Sequence, residues 1–260
     1  MTGFGRTIGS TISAGAAALL LVAAPGATMA QEAQADADGW SFEAAMYAFV
    51  PEIRGNVTVN GRTASARMNI DDLLQSIELG AMGHFEARYE KLALFLDGSY
   101  GKFSQETEGS PVDLEVELEQ VTVEAGAAYQ IASIPLCKGR RMTVEPLTGL
   151  RYWYFDTDYH FDRLPDSGDD ADWVDWFAGA RTTIELADRL AFRFRADTGG
   201  FGIGSSADES WTLTALLSYR VMERMSLMGG YRMIDVERKS GDNGLDLQFR
   251  GPGIAATLHF

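Results

Sequence analysis

An alternation of apolar and polar residues over positions 79–100 constrains the fold of this chain more than any other feature. From Leu79 to Tyr89 every second residue is apolar or small, and the alternation resumes after the pair Glu90-Lys91. A period of two is that of a β-strand with one apolar face. The pattern therefore predicts a hairpin with a two-residue turn. Its expected cross-strand pairs are Tyr89 with Leu92, Phe85 with Leu96, and His84 with Asp97.

The later strands favour a barrel in lipid over a soluble β-sandwich. They repeat the alternation and carry aromatic residues at both ends, and short turns on one side face long loops on the other. Those features are typical of bacterial outer-membrane barrels, whose short turns are periplasmic. We predict an all-β fold, a ten-stranded antiparallel up-and-down transmembrane barrel over residues 40–260. The expected aromatic girdle is Trp40, Tyr89, Tyr100, Tyr129, Tyr152, Trp176, Trp211, Tyr219 and Phe260.

The N-terminal residues predict export. Arg6 precedes an apolar run, and small residues before position 31 suit signal-peptidase cleavage after Ala30. We therefore expect a signal peptide over 1–30 and a flexible periplasmic leader over 31–39. The apolar run is too short to span a bilayer as a helix.

Charge and cysteine content restrict the possible partners. The chain has 37 acidic and 22 basic residues, a net charge of −15, which argues against nucleic acid as a partner. Cys137 is the only cysteine, so it cannot form an intramolecular disulfide. The partners we expect are outer-membrane lipid, lipopolysaccharide and the outer-membrane assembly machinery, which would act through the C-terminal strand.

We expect residues 51–69 to form the first long extracellular loop, with a short amphipathic helix at its end. Asn69 is a good N-cap, and the apolar residues after it follow a helical spacing. So short a helix needs a surface to pack on. We expect it to plug the barrel mouth, with a position on the membrane interface as the alternative. Its apolar stripe is Ile70, Leu73, Leu74 and Ile77.

The inward positions of the strands predict a polar lumen in which acids and arginines are nearly balanced. Buried ionised groups need partners, and open channels need about 16 strands. We therefore expect a filled, salt-bridged lumen. The expected network is Glu43, His84, Glu86, Arg88, Asp97, Glu124, Glu145, Arg151, Asp175, Arg181, Arg195, Asp197, Arg220 and Arg232.

Catalytic and metal motifs are weak in this sequence. His84, Asp97 and Ser99 supply the residue types for nucleophilic hydrolysis, but a serine two residues beyond the aspartate on one strand suits a relay poorly. The three histidines and one cysteine have no metal-ligand spacing. The run GFGIG over 200–204 lacks the βαβ context of a nucleotide site and predicts a flexible loop. We expect no enzyme activity, no cofactor and no metal.

Several motifs resemble those of a known group. They are DGSY at 97–100, GLRYW at 149–153, WVDWFAGAR at 173–181, DTGGFG at 197–202, GYR at 230–232, GPG at 251–253, and a C-terminal Phe260. This series is similar to a family of small proteobacterial outer-membrane β-barrels, distantly like the OmpA and opacity-protein group. The resemblance implies the fold and the bacterial outer membrane, and it implies no catalytic residue.

Two function classes follow from the predicted barrel. The leading one is a non-enzymatic outer-membrane protein that serves envelope structure or surface contact through acidic loops. The alternative is a small-solute or ion pore, and an outer-membrane hydrolase is a third, weaker reading.

Overall fold

The computed structural model describes residues 39–59, 61–71, 77–107, 114–161 and 167–260, and strands account for most of them. A 3₁₀ turn, Cys137–Gly139, follows the seventh strand. Within these ranges no helix is long and apolar enough to cross a bilayer. The strands are β1 (Trp40–Phe49), β2 (Glu52–Val59), β3 (Arg62–Met68), β4 (Ile77–Tyr89), β5 (Leu92–Thr107), β6 (Leu114–Tyr129), β7 (Ala132–Pro135), β8 (Arg141–Phe161), β9 (Ser167–Ala187), β10 (Leu190–Gly200), β11 (Glu209–Met222), β12 (Met225–Ser240) and β13 (Asn243–His259).

Ten of these strands close into a barrel. The hydrogen-bonded order is β1-β4-β5-β6-β8-β9-β10-β11-β12-β13, and β13 pairs back with β1. Neighbouring strands are antiparallel throughout, which confirms the predicted ten-stranded up-and-down barrel. Closure pairs the backbone N–H and C=O groups of the first and last strands, which would otherwise be unpaired at open edges.

The β4–β5 hairpin has the register that the sequence predicts. Tyr89 pairs with Leu92, and His84 pairs with Asp97 across the two strands. The turn between them is Glu90-Lys91, and Glu90 adopts a positive φ of 51°. Because side chains alternate between the two faces, this register sends the polar set of both strands to the same side of the wall.

The barrel is tilted, as closure requires. A path along hydrogen-bonded neighbours that starts at Glu43 on β1 reaches Leu247 on β13, whereas Glu43 itself pairs with His259, twelve residues further along. With a rise of about 3.3 Å per residue and strands about 4.8 Å apart, this shift corresponds to a tilt of about 40°.

Four neighbouring strands extend the wall on the long-loop side. β5 and β6 have 16 residues each, and β8 and β9 have 21 each. The hairpin of β2 and β3 extends the wall elsewhere, since β2 pairs with the first half of β13. Our expectation of a loop over residues 51–69 was therefore wrong, because a non-local pairing orders most of that segment into strands.

The predicted plug helix is not supported. Ile77 is the first residue of β4 and pairs with Phe103, so the apolar stripe cannot extend to it. In the described part of this segment a helical assignment is limited to Ile70 and Asp71, and residues 72–76 are not described. Leu73 and Leu74 lie outside the described residues.

Inward glycines make room for two aromatic rings inside the barrel. A Cβ atom on Gly126 would lie 2.6 Å from Cζ of Phe95, and one on Gly149 would lie 2.8 Å from Cζ of Phe177. Phe95 pairs with Gly126 across β5 and β6, and Phe177 pairs with Gly149 across β8 and β9. Each ring therefore occupies the space that a missing side chain leaves on the adjacent strand.

Candidate functional site in the barrel lumen

The centre of the lumen holds a closed ring of ion pairs. Arg151 donates through Nε to Glu124 (2.8 Å) and through Nη2 to Asp197 (2.7 Å). Arg195 donates to the other oxygen of each carboxylate, at 2.8 Å to Asp197 and 2.7 Å to Glu124. We call these four residues the central ring. Arg232 adds a longer contact of 3.7 Å to Glu124.

A second cluster lies nearer the short-turn end. Arg88 forms a bidentate pair with Glu145 at 2.7 and 3.2 Å, and Arg181 donates to the same carboxylate at 2.5 Å. Glu86 accepts from both arginines, at 3.0 and 2.6 Å. Two guanidiniums and two carboxylates thus alternate, which offsets the charge that each inward side chain brings.

Asp97 connects three strands in the same part of the lumen. Tyr47 donates its hydroxyl to one oxygen of Asp97 at 2.6 Å, and Nδ1 of His84 lies 3.1 Å from the other. Nη1 of Arg232 lies 3.4 Å from the Tyr47 hydroxyl. Ser99 takes no part in these contacts. The arrangement is a set of hydrogen bonds that joins β1, β4, β5 and β12, and it does not include the serine that a hydrolytic relay would need.

Glu43 anchors a fourth cluster at the seam between the first and last strands. Arg193 donates to both of its oxygens at 2.8 and 3.1 Å. Nδ1 of His259 lies 3.4 Å from Glu43, and Nε2 of the same ring lies 3.0 Å from Oγ of Ser226. The network predicted from the sequence includes Glu43 but neither Arg193 nor His259.

Asp175 has neutral donors instead of an arginine. It accepts from Nε1 of Trp153 (2.9 Å), the backbone N–H of Ala207 (2.8 Å) and the hydroxyl of Ser210 (3.2 Å). It lies within an apolar core on the long-loop side. We call this core the outer plug, and its members are Ile53, Trp153, Phe155, Trp173, Ala207, Ile234, Val236, Leu247 and Phe249.

Phe95 and Phe177 complete the central ring, and sequence reasoning did not single them out. The guanidinium of Arg195 lies 5.4 Å from the centroid of each ring, and that of Arg151 lies 4.8 Å from Phe177. Both distances suit cation–π attraction. The signal that could have found them was an aromatic residue on the polar face of a strand, with a glycine on the next strand.

Arg220 lies outside this lumen network. Its side chain is exposed near the short-turn end of β11, beside a register shift between Arg220 and Met222. The other predicted network residues lie in the clusters above.

The outer surface carries the predicted aromatic residues at both ends of an apolar band. Trp40 packs on Tyr89 with ring centroids 5.1 Å apart at the short-turn end. The predicted girdle residues are all exposed or half-exposed. Between the two ends many of the exposed outward side chains are aliphatic, and examples are Leu94, Leu96, Leu150, Val174, Leu217, Leu227, Ile254 and Leu258.

Comparisons with known proteins find structures but no family. No protein-family model and no curated protein matches the chain. The outer-membrane protease OmpT of Escherichia coli is 9% identical, with 86% of this chain and 97% of that chain covered and a TM-score of 0.48. The translocator domain of the autotransporter NalP of Neisseria meningitidis is 13% identical, with 85% and 88% covered and a TM-score of 0.42. The attachment invasion locus protein Ail of Yersinia pestis is 10% identical, with 86% and 99% covered and a TM-score of 0.36.

The protein's own surface decides its compartment. An aliphatic band with aromatic residues at both ends, on a closed barrel with every neighbouring strand antiparallel, matches the bilayer and its two interfaces. The chain is an outer-membrane β-barrel. The turns at Glu90-Lys91, Asp188-Arg189 and Glu223-Arg224 and both ends of the barrel are then periplasmic, and the extensions of the strands at the other end are extracellular.

The lumen of this outer-membrane barrel is divided into two unequal parts. A cavity of about 420 Å³ occupies the periplasmic half, between Arg88 and Thr143 near the short turns and Asp97 and Arg232 near mid-barrel. Beyond it lies a space of only about 40 Å³, lined by Trp153 and its neighbours. Side-chain exposure falls from 34% at Arg193 to 1% at Arg151. The lumen is therefore accessible to solvent from the periplasmic end and is closed at the central ring.

Proposed function

We propose that this protein is a sealed, non-enzymatic outer-membrane barrel that serves envelope structure or surface contact. Two layers that block the lumen support the proposal: the central ring at mid-barrel and the outer plug above it. The proposed partners are outer-membrane lipid and lipopolysaccharide around the girdle, and the assembly machinery at β13.

The central ring is the observation that carries the sealed state. Arg151 is 0% exposed, and both carboxylates that it binds are also buried. A conducting path would have to separate these ion pairs or displace the stacked rings of Trp153, Phe155 and Trp173, whose centroids are 5.6 to 6.1 Å apart. Separating a buried ion pair costs about 3–5 kcal/mol. An open pore is therefore disfavoured.

Planar-bilayer recording of the purified protein tests the sealed state. We expect no stable single-channel current at moderate voltage, because the central ring and the outer plug lie in series across the lumen. Protein heated until it loses its barrel should serve as the control for detergent artefacts. Stepwise, long-lived currents from the native protein and none from the heated sample would establish the pore alternative.

An acidic outer face on the extracellular extension supports the surface-contact role. Glu119 on β6 pairs with Asp156 on β8, and Asp156 pairs with Asp170 on β9. Directly opposed like charges repel at this spacing. Partial desolvation, and then the carboxylates of Asp156, Asp170 and Glu119, raise the pKa of Tyr154 beside them. We propose that this face meets a cationic surface, which would relieve the repulsion.

Adhesion of outer-membrane vesicles to a polylysine-coated sensor tests the acidic face. The triple change Glu119→Gln, Asp156→Asn and Asp170→Asn should reduce binding several-fold, and added salt should weaken wild-type binding because it screens exposed charges. The matched control alters the periplasmic turns, with Glu90→Gln, Asp188→Asn and Glu223→Gln, for the same change in net charge. Equal binding by both variants would remove the role of this face.

Hydrolysis at the periplasmic end is a second candidate, favoured by one observation. The Ser226, His259 and Glu43 contacts join the atoms that a nucleophilic relay uses: a hydroxyl on Nε2 and a carboxylate on Nδ1. Against this reading, Ser226 is only 4% exposed, and both oxygens of Glu43 are already held by Arg193. The alternative is a purely structural role, in which these polar contacts join β12, β13 and β1; we call this the clasp.

A fluorophosphonate probe distinguishes the hydrolase from the clasp. In an active relay Oγ of Ser226 would bond to phosphorus, fluoride would leave, and the hydroxyl proton would pass to His259. A clasp predicts no labelling, and we expect none because Ser226 is buried. Labelling that Ser226→Ala abolishes and Ser218→Ala leaves intact would establish the hydrolase instead.

A further inference from the structure

The loop between β10 and β11, residues 201–208, is held in one conformation by hydrogen bonds. Gly202 donates its N–H to the carbonyl of Ala207 at 2.9 Å, and the N–H of Ile203 donates to Oγ of Ser206 at 2.8 Å. The hydroxyl of Ser206 in turn donates to the carbonyl of Gly200 at 2.8 Å. The sequence reading of GFGIG as a flexible loop misses these contacts.

The inner side of this loop is part of the lumen filling. Ala207 is fully buried in the outer plug, and its N–H donates to Asp175. Asp208 joins the loop to β12, since it accepts from the N–H of Lys239 at 2.8 Å. The loop therefore crosses the rim of the barrel with one side fixed to the interior.

The outer side of the loop presents apolar side chains to the surroundings. Phe201 is 45% exposed and Ile203 is 67% exposed. Phe201 has a φ of 63°, in the left-handed region that bulky residues avoid. Such a conformation is costly and persists only where the surrounding structure imposes it. Here it directs the ring outward, onto Trp176 of the girdle at 5.5 Å between centroids.

The position of the loop places these side chains at the outer membrane interface. β10 has 11 residues, against 21 in the adjacent β9, so the wall is low at this point. Gly199 pairs with Phe177, the residue that follows Trp176. The loop therefore begins at the level of the extracellular aromatic girdle and continues its apolar surface.

We propose that Phe201 and Ile203 insert into the outer leaflet, at the boundary between headgroups and acyl chains, and fix the depth of the barrel in the membrane. Continuity with Trp176 identifies the occupant as lipid. An apolar side chain exposed at this level gains contact with acyl chains, whereas the same side chain in water gains nothing. The loop acts as a lipid anchor, and the contacts of its inner side with the barrel interior keep Phe201 and Ile203 directed toward the membrane.

Depth-dependent quenching in vesicles tests the anchor. In a Cys137→Ser background, Ile203→Cys and Ser205→Cys are each labelled with the fluorophore NBD and reconstituted in phosphatidylcholine vesicles that carry a doxyl group at carbon 5 of the acyl chain. We expect doxyl quenching of the probe at 203 to exceed that of the probe at 205 by about twofold or more. Aqueous iodide should show the opposite preference. Ser205 is the matched control because it is exposed on the same loop.

A substitution at Phe201 distinguishes the effect of its aromatic ring from the effect of its backbone conformation. Asparagine tolerates the left-handed region, so Phe201→Asn keeps the loop conformation and removes the apolar ring. We expect this change to reduce doxyl quenching at 203. Equal doxyl quenching at 203 and 205, or stronger iodide quenching at 203, would overturn the proposal. Unchanged quenching at 203 in Phe201→Asn would overturn the part assigned to Phe201.

Discussion

Compensation of buried charge in the lumen is the constraint on which the rest of this barrel depends. Strands that face lipid on one side must place their polar residues on the other, so a narrow barrel collects ionised groups where water is scarce. Among the described residues, the four clusters bring together six arginines and six carboxylates. They are Arg88, Arg151, Arg181, Arg193, Arg195 and Arg232 with Glu43, Glu86, Asp97, Glu124, Glu145 and Asp197. This balance of charges allows ionised side chains to fill much of the lumen without preventing the barrel from folding.

The filled lumen explains why the two sides of the membrane differ. The periplasmic half holds a cavity of about 420 Å³, which leaves its ion pairs partly exposed, whereas the extracellular half is packed with aromatic and aliphatic side chains. Asp175 lies at the transition, and the donors described for it are a tryptophan, a serine and a backbone N–H. The loop that supplies this N–H also carries Phe201 and Ile203, so the inner filling and the outer lipid contact belong to one rigid segment.

Most of the wall could be predicted from the sequence, because the alternation of side chains is local. The β4–β5 register and the strand number are examples. The β2–β3 hairpin could not be predicted, because its order depends on pairing with β13, nearly 200 residues away. The predicted helix is not supported, because its last residue, Ile77, fits two periods, one with Ile70 and one with the strand that follows. Pairing with Phe103 decided in favour of the strand.

The alternation of side chains along each strand predicted which residues face the lumen, but it did not predict which of them form ion pairs with each other. Arg88 and Glu145, or Arg195 and Glu124, are brought together by the tilt and circumference of the closed barrel. Arg220 has the parity of an inward residue, yet a register shift beside it and its place at the end of β11 leave it exposed. Ser226 meets His259 between β12 and β13, and His259 meets Glu43 across the seam between β13 and β1; local spacing reveals neither contact.

The stability of Arg151→Met, from urea unfolding in lipid vesicles, tests the role of the lumen charges most directly. Removal of this guanidinium leaves Glu124 and Asp197 with less compensation, so the account predicts a loss of about 3–5 kcal/mol in the free energy of unfolding. Arg220→Met is the matched control and should change it by less than about 0.5 kcal/mol. Adding Glu124→Gln to Arg151→Met should restore part of the loss. A change in Arg151→Met no larger than that of the control would contradict the account.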